Sequence, residues 1–293
     1  MKLDRTPCGV AAIVSPRSSF VSVISDKGLP VLEGNTSSLL GRISRQRLLS
    51  AVFLIALLGL CQALSVAQVL SPVYFPPPTS AFRVLGERLR DGSIWPSLGS
   101  TVMRMFYGWV LACLLGVAVG GLIGSSTVMR DYLRPILEFF RSLPASAIMP
   151  MAVLFLGLSN QMSIVVIAFG SIWPVLLGSV QGFSTVKSRL IEVFDMLQLT
   201  WREGLVSLTI PSALPDIMTG ARISPAIALI LAVVTEMQAS LPGLGSDIFQ
   251  AQRAFRSPEL YAGLLVLGML GFGLSYTLQL IERRLLRWHN PHN

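Results

Sequence analysis

The chain has few charged residues. Asp, Glu, Lys and Arg make up 13% of its 293 residues, about half the usual fraction in soluble domains. Hydrophobic residues make up 52%, which leaves too few polar side chains to cover a globule in water. The same figures exclude disordered, collagen-like and disulfide-stabilised proteins. The composition therefore predicts a polytopic membrane protein. Since no ten-residue alternating pattern repeats, as it would in a membrane barrel, we predict the all-α class.

Cysteine is also scarce, and no lysine follows a glycine. The three cysteines fit no metal-ligand spacing, and Cys61 and Cys113 lie in apolar runs. We therefore predict neither a disulfide framework nor a metal site. Without a Gly-Lys pair the chain cannot contain a Walker phosphate-binding loop. We expect no cofactor, no catalytic residue and no ATP hydrolysis by that route in this chain.

Charge-free segments predict six membrane-spanning helices. A helix needs about 20 residues to cross the core of a bilayer. Residues 142–186 carry no charge over about twice that length, and the polar stretch 157–161 divides them into two spans. The predicted spans are residues 48–70, 105–127, 136–157, 162–181, 217–238 and 260–281.

The basic residues predict the orientation. With the N-terminus inside, 17 of the 23 Lys and Arg residues fall in cytoplasmic segments, as the positive-inside rule requires. We therefore expect both termini in the cytoplasm. Residues 1–46 are expected to form a loosely ordered cytoplasmic tail, 47–288 a transmembrane domain with a long cytoplasmic loop at 182–216, and 289–293 a short cytoplasmic tail.

The second predicted span contains a row of small residues and an arginine. Ala112, Gly116, Gly120 and Gly124 recur every fourth residue, so they share one helix face that another backbone can approach closely. Packing within one subunit is the favoured interpretation, and a subunit interface is the alternative. Arg104 lies near the outer end of this span, where we expect it to snorkel towards water.

Glu236 is the only acidic residue in the body of the fifth predicted span. Ionisable groups at membrane depth are functional candidates by default, so Glu236 is a candidate for the pathway or its gate. The alternative is a hydrated position near the outer end, or a hydrogen bond to Ser240 or Gln238. Pro225 is expected to kink the same helix, and Arg222 is the third pathway candidate.

The cytoplasmic loop carries an apolar stripe. Leu190, Phe194, Leu197 and Trp201 stand at i, i+4, i+7 and i+11, which predicts a short amphipathic helix. Such a stripe must be buried against the bilayer surface, the other helices of the chain, or a groove on a partner. The balanced charges around the stripe argue against the bilayer surface.

The same loop resembles that of the inner-membrane permease subunits of binding-protein-dependent ABC importers. Their pattern is E-A-A-x3-G-x9-I-x-L-P, in which Glu192 matches the glutamate and Pro211 the final proline. Five positions differ: Val193 and Phe194 replace the alanines, Gln198 replaces the glycine, and Leu208 and Ile210 conservatively replace I and L.

The residues around the loop resemble the sulfonate, taurine and nitrate branch of these permeases. Residues 211–222 resemble its LPAALPxIxTGLR segment, residues 236–245 its AEM…GLG segment, and residues 101–108 its SLxRxxxG segment. Residues 141–144 and 282–288 complete the series. The resemblance covers roughly residues 70–288.

The resemblance implies an assembly in the bacterial inner membrane. Two permease subunits, here expected as a homodimer, would form the pathway together with two cytosolic ATPase subunits and an external solute-binding protein. The solute would be a small anion such as a sulfonate, taurine or nitrate, although related permeases import thiamine precursors and other heterocycles. Nothing in the resemblance implies nucleic acid binding.

The resemblance also assigns roles in the loop. Glu192 would hold the loop helix to the ATPase by hydrogen bonds or an ion pair, and the stripe from Phe194 to Trp201 would be buried in the ATPase cleft. Pro211 and Pro215 would set the turn into the fifth span. We expect the loop to bend differently at Gln198, since the family glycine there permits close approach or positive φ.

Two other function classes stay open at this stage. A secondary transporter or channel without an ATPase would need coupling-ion ligands at mid-membrane and usually an inverted repeat. A membrane scaffold with a surface-bound helix would need a basic polar face on the loop helix. Stimulation of a partner's ATPase activity would discriminate the importer from both.

Overall fold

The computed structural model describes residues 73–197 and 209–285, residues 59–67, and positions 49, 52, 53, 56, 57 and 71, without the side chains of residues 186–197. The chain divides into two units, Met1–Ala56 and Leu57–Asn293, and the following description concerns the second. Both predicted tails lie outside the described residues, as do 9 of the 23 residues of the first predicted span.

Every regular element in the described part of the chain is a helix, which confirms the all-α prediction there. Residues 59–66 are helical, and a 3₁₀ turn at Ala145–Ile148 precedes α4. The remaining helices are α1 Pro78–Arg90, α2 Ile94–Gly124, α3 Thr127–Ser142, α4 Met149–Leu156, α5 Asn160–Leu197, α6 Ile210–Ala239, α7 Leu244–Arg253 and α8 Ser257–Leu285.

Four of the described helices are long and apolar enough to cross a membrane by themselves. They are α2, the Asn160–Thr185 part of α5, α6 and α8. Compared with the predicted spans, α2 begins at residue 94 instead of 105, and α6 at residue 210 instead of 217. Many apolar side chains are exposed on these helices, and they suit contact with the apolar lipid tails. Each helix also satisfies its backbone hydrogen bonds internally, as a membrane-spanning segment must.

The segment predicted as a third straight span, residues 136–157, contains a sharp break. Helix α3 and the segment Ala145–Leu156 meet at an angle of 83° and together count as a fifth candidate span. The break falls at Leu143, whose ψ of 126° is extended. Leu143 precedes Pro144, and the proline ring excludes the helical region for the residue before it.

Helices α2, α5 and α6 form the centre of the fold. Met105 of α2, Ile167 of α5 and Ala228 and Ala232 of α6 belong to one buried cluster. Near the start of α6, Ala213 and Ile217 form a second cluster with partly buried side chains of α2 and α5. The three helices therefore contact one another over much of their length.

Helices α1, α7 and α8 pack together beside one end of this centre. One apolar cluster is formed by Leu85 of α1, Leu244 of α7, Ala262 and Val266 of α8, and Ile94 at the start of α2. The Arg88 guanidinium lies 2.8 Å from a carboxylate oxygen of Glu259 and joins α1 to α8. This packing fixes the position of α7, whose first residues contribute to the candidate site.

Candidate functional site

The Glu236 carboxylate is the centre of a buried polar cluster. Thr101 Oγ1 donates to Glu236 Oε2 at 3.0 Å, and the backbone N–H of Gly245 donates to the same oxygen at 2.9 Å. Arg104 Nη1 donates to Oε1 at 2.5 Å. The Glu236 side chain is 0% exposed, so its charge is compensated entirely by these contacts and not by water.

Arg104 uses all three of its guanidinium nitrogens in the same cluster. Besides the bond to Glu236, Nε donates to Asn160 Oδ1 at 2.8 Å, and Nη2 donates to the carbonyl of Pro242. The side chain is 7% exposed. One arginine thus connects α2 to the first residue of α5, to the end of α6 and to the segment that follows α6.

The chain turn after α6 brings the start of α7 to the carboxylate. Ser240 ends α6 in the left-handed conformation, with φ of 51°. The first two N–H groups of α7 then meet the cluster: Leu244 N donates to Thr101 Oγ1 at 2.9 Å and Gly245 N to Glu236. N–H groups in the first turn of a helix lack intrahelical partners and favour a negative charge. Glu236 therefore stabilises the beginning of α7.

Two glycines make room for the carboxylate. A Cβ atom on Gly243 would lie 2.5 Å from Glu236 Oε1, and one on Gly245 would lie 3.0 Å from Glu236 Cβ. Gly243 has φ of 165°, an extended conformation open to any residue. The requirement for glycine at position 243 is therefore one of space and not of backbone conformation.

The cluster is suited to holding helices together. A buried carboxylate and guanidinium are tolerated in an apolar interior only when they are paired and their remaining hydrogen-bonding positions are filled. Here one positive and one negative charge meet, and the neighbouring Thr101, Asn160 and Gly245 supply the further bonds. A solute cannot reach Glu236 in this conformation, because the carboxylate is fully enclosed.

This geometry corrects two expectations. Arg104 does not snorkel to water but turns inward to Glu236. The Glu236 side chain bonds neither Ser240 nor Gln238, its partners being Thr101, Arg104 and Gly245. The position of a residue along a predicted span indicates how far it lies from the membrane surface. It does not indicate whether its side chain faces the protein interior.

The structure does not bring the three pathway candidates together. Pro225 is buried within α6. Arg222 Nη1 lies 3.1 Å from Glu282 Oε2 of α8, on an exposed surface. Fourteen residues separate Arg222 from Glu236 on one helix, roughly 21 Å at the rise of an α-helix. A role of Pro225 and Arg222 in the pathway stays a prediction.

The row of small residues on α2 lies against α5. Ala112, Gly116, Gly120 and Gly124 are all buried. A Cβ on Gly120 would lie 2.6 Å from Ser179 Cβ and 2.7 Å from the carbonyl oxygen of Leu176. The two backbones therefore approach each other as closely as glycine permits.

A matching set of glycines joins α5 to α6, and it was not singled out from the sequence. A Cβ on Gly178 would lie 2.6 Å from the carbonyl oxygen of Asp216, and one on Gly182 would lie 2.8 Å from that of Ala213. The four-residue spacing of these two glycines was the available signal. They show that α5 contacts both neighbouring helices through small residues.

The predicted docking loop is described only at its two ends. The backbone of α5 continues as a helix to Leu197, so the stretch predicted as a separate short helix begins as an extension of this span. The side chains of Glu192, Val193, Phe194 and Leu197, and all of Gln198 and Trp201, lie outside the described residues. On the far side of the loop, Pro211 is the second residue of α6 and Pro215 lies within that helix.

Comparison with known proteins decides the family. Residues 112–288 match the family described as binding-protein-dependent transport system inner membrane component. The chain belongs to this family. It is accordingly a multi-pass protein of the inner membrane, and the resemblance found in the loop and its surroundings is confirmed at the level of the family.

Two curated relatives align with most of this inner membrane component. The chain is 29% identical over 236 residues to the putative aliphatic sulfonates transport permease protein SsuC of Bacillus subtilis, covering 80% of this chain and 86% of that protein. It is 29% identical over 252 residues to the taurine transport system permease protein TauC of Escherichia coli, covering 84% and 92%.

A solved structure shows the same fold. A chain of the inward-facing MetNI methionine ABC transporter superimposes with a TM-score of 0.56 at 18% identity, covering 64% of this chain and 93% of that one. At this identity the likeness concerns the fold alone.

Proposed function

We propose that this chain is the transmembrane permease subunit of an ATP-driven importer and is not itself an enzyme. The subunit would have six membrane-spanning helices, with both termini in the cytoplasm, and would work as a homodimer. Membership of the family of inner membrane transport components supports the role as a permease subunit. The basic residues in the predicted cytoplasmic segments support the orientation.

Coupling to a separate ATPase would pass through the loop at residues 182–216. The observation that carries this proposal is the course of α6. This helix begins at Ile210, beside Pro211, and continues to Ala239, three residues past Glu236. Its 30 residues extend for roughly 45 Å. A displacement of the loop by the ATPase would therefore be transmitted along one helix to the Arg104–Glu236 cluster.

The apolar stripe of the loop would supply the contact with the ATPase. Leu190, Phe194, Leu197 and Trp201 would enter a cleft on that subunit, and Glu192 would fix the helix there by hydrogen bonds or an ion pair. This is the helix-in-groove mode of recognition, in which one apolar face provides the buried area.

The solute would be a small oxyanion such as an alkanesulfonate, taurine or nitrate, delivered by an external binding protein. The relatives SsuC and TauC carry the names of sulfonate and taurine transport, and the sequence resembles the same branch. A thiamine-precursor-like heterocycle is the alternative solute.

An ATP-independent transporter is less compatible with the site. Ion-coupled transport needs ligands for the coupling ion near mid-membrane, and an unpaired acidic side chain would be one such ligand. Glu236 is the only acidic residue in the body of the fifth predicted span, and its carboxylate already has Arg104, Thr101 and Gly245 as partners. An exposed carboxylate would have favoured ion coupling.

Uptake into proteoliposomes tests the proposed function. The permease would be reconstituted with its ATPase and binding protein, and uptake of labelled taurine, ethanesulfonate, nitrate and a thiamine precursor would be compared with and without internal ATP. We expect ATP-dependent uptake of one of the three oxyanion solutes. Uptake of the heterocycle alone would overturn the assignment of the solute, and ATP-independent uptake would overturn the importer.

A further inference from the structure

A polar cavity lies between α3 and α5, away from the Arg104–Glu236 cluster. Its volume is about 590 Å³, within the range of small-molecule sites. Helix α3 contributes Arg130, Asp131, Arg134 and Glu138, and α5 contributes polar groups that include Gln181. Most of the lining that α3 provides is therefore charged.

Within the described part of the chain, the two arginines of this cavity have no acidic partner. Arg130 and Arg134 stand one helical turn apart on α3, so their side chains share one face. Among the described side chains, no carboxylate oxygen lies within 4.0 Å of either guanidinium. The Glu138 carboxylate lies 3.8 Å from Arg141 instead. Neither guanidinium is therefore held by a carboxylate of the described residues.

Helix α3 has a charged face and, on its opposite side, an exposed apolar face. Tyr132 and Phe139 are 77% and 63% exposed, and on a helical projection they lie opposite the arginines. Together with the segment after its break, α3 is a candidate membrane span. At the cytoplasmic end of such a span, where the predicted orientation places Arg130 and Arg134, charged side chains face a water-filled space and not lipid. The cavity provides that space.

We propose that Arg130 and Arg134 form a binding site for an oxyanion group. A guanidinium presents parallel N–H donors that match the oxygens of a sulfonate, carboxylate or phosphate. Asp131 and Glu138 bring the formal charge of the lining to zero and provide partners for an ammonium group, as in taurine. A weak site of this kind releases its ligand readily, as a transport pathway requires.

Two sources of the oxyanion fit this chemistry. One is the transported solute on its way to the cytoplasm, in which case the site rests on the proposed function. The other is the phosphate of an anionic phospholipid headgroup, since the predicted orientation places α3 at the cytoplasmic side. Both sources require the same two arginines.

Binding to the full-length permease alone tests the site, without the ATPase or the binding protein. The probes are methanesulfonate and taurine, measured by calorimetry in phosphatidylcholine nanodiscs, and phosphatidylglycerol, measured as retained lipid by native mass spectrometry. The test variant is Arg130→Gln combined with Arg134→Gln. The control is Arg83→Gln, a change of the same kind at an exposed residue of α1 that lies outside the lining.

We expect the wild type to bind a sulfonate probe or to retain phosphatidylglycerol, identifying the source. The double variant should weaken that binding at least tenfold, whereas Arg83→Gln should leave it within twofold. A wild type that binds neither probe, or a double variant that matches it, would overturn the proposal. Equal thermal unfolding temperatures of the variants exclude a folding defect. Because no uptake is measured, failure here and failure of the importer function remain separate results.

Discussion

Arg104 Nη1 lies 2.5 Å from Glu236 Oε1, although 132 residues separate the two in the chain. The pair joins the first half of α2 to the end of α6, and its neighbours extend the connection to Asn160 and Pro242. Both side chains are buried. This ion pair is therefore a polar link that helps to hold the ends of the central helices together.

Replacing Glu236 by glutamine should strongly destabilise the chain. Glutamine retains the shape of the side chain but leaves the Arg104 guanidinium buried without its counter-charge. Breaking one partner of a buried ion pair costs about 3–5 kcal/mol. The free energy of unfolding, measured by titrating the purified protein with sodium dodecyl sulfate, would show this loss.

Glu282→Gln is the matched control for that experiment. Glu282 also pairs with an arginine, Arg222, at 3.1 Å, but on an exposed surface. The median exposed pair contributes about 0–1 kcal/mol, so the control should lose less than about 1 kcal/mol. Equal losses from the two substitutions would contradict the structural importance of the buried pair.

Gly243→Ala should destabilise the chain through Glu236 and not through the backbone. The added methyl group would lie 2.5 Å from Glu236 Oε1, and overpacking of this kind costs about 1–3 kcal/mol. When Glu236→Ala has already removed the carboxylate, the same substitution should cost less than half as much. A double-mutant cycle on the unfolding free energy measures this coupling, and strict additivity of the two changes would refute it.

Gly120→Ala and Gly99→Ala should have opposite effects, although both lie in α2. A Cβ at position 120 would lie 2.6 Å from Ser179 Cβ, whereas one at position 99 meets nothing within 4 Å. We expect the first substitution to lose about 1–3 kcal/mol by overpacking. The second should gain up to about 1 kcal/mol, because alanine favours a helix. Thermal unfolding in detergent would report the two signs, and a stabilising Gly120→Ala would argue against the tight contact between α2 and α5.

The sequence predicted the positions of several long apolar helices better than it predicted their breaks and the contacts between them. Charge-free runs indicate where helices pass through the bilayer, since lipid contact requires a long apolar stretch. They did not indicate the break at Leu143, although a residue before proline disfavours the helical conformation. Apolar content continues across the break, and so hydropathy alone does not detect it.

Of the two charged residues of the candidate site, the sequence singled out Glu236 and not Arg104. Glu236 was recognised because an acidic residue in an apolar span is unusual. Arg104 was assigned to the interface because it lies near a predicted span end. Its actual partner is 132 residues away, and no periodicity within one helix encodes such a contact. The fold had to be known before the two charges could be paired.

Co-purification of the permease with the candidate ATP-binding subunits of its cell tests the central claim most directly. Wild type, Glu192→Ala and Asp195→Ala would be compared, the last being a carboxylate of the same loop helix to which the family pattern assigns no role. The account predicts a stable complex for wild type and Asp195→Ala, and loss of assembly or of stimulated ATPase activity for Glu192→Ala. If the wild type binds no ATPase subunit, the importer account is contradicted.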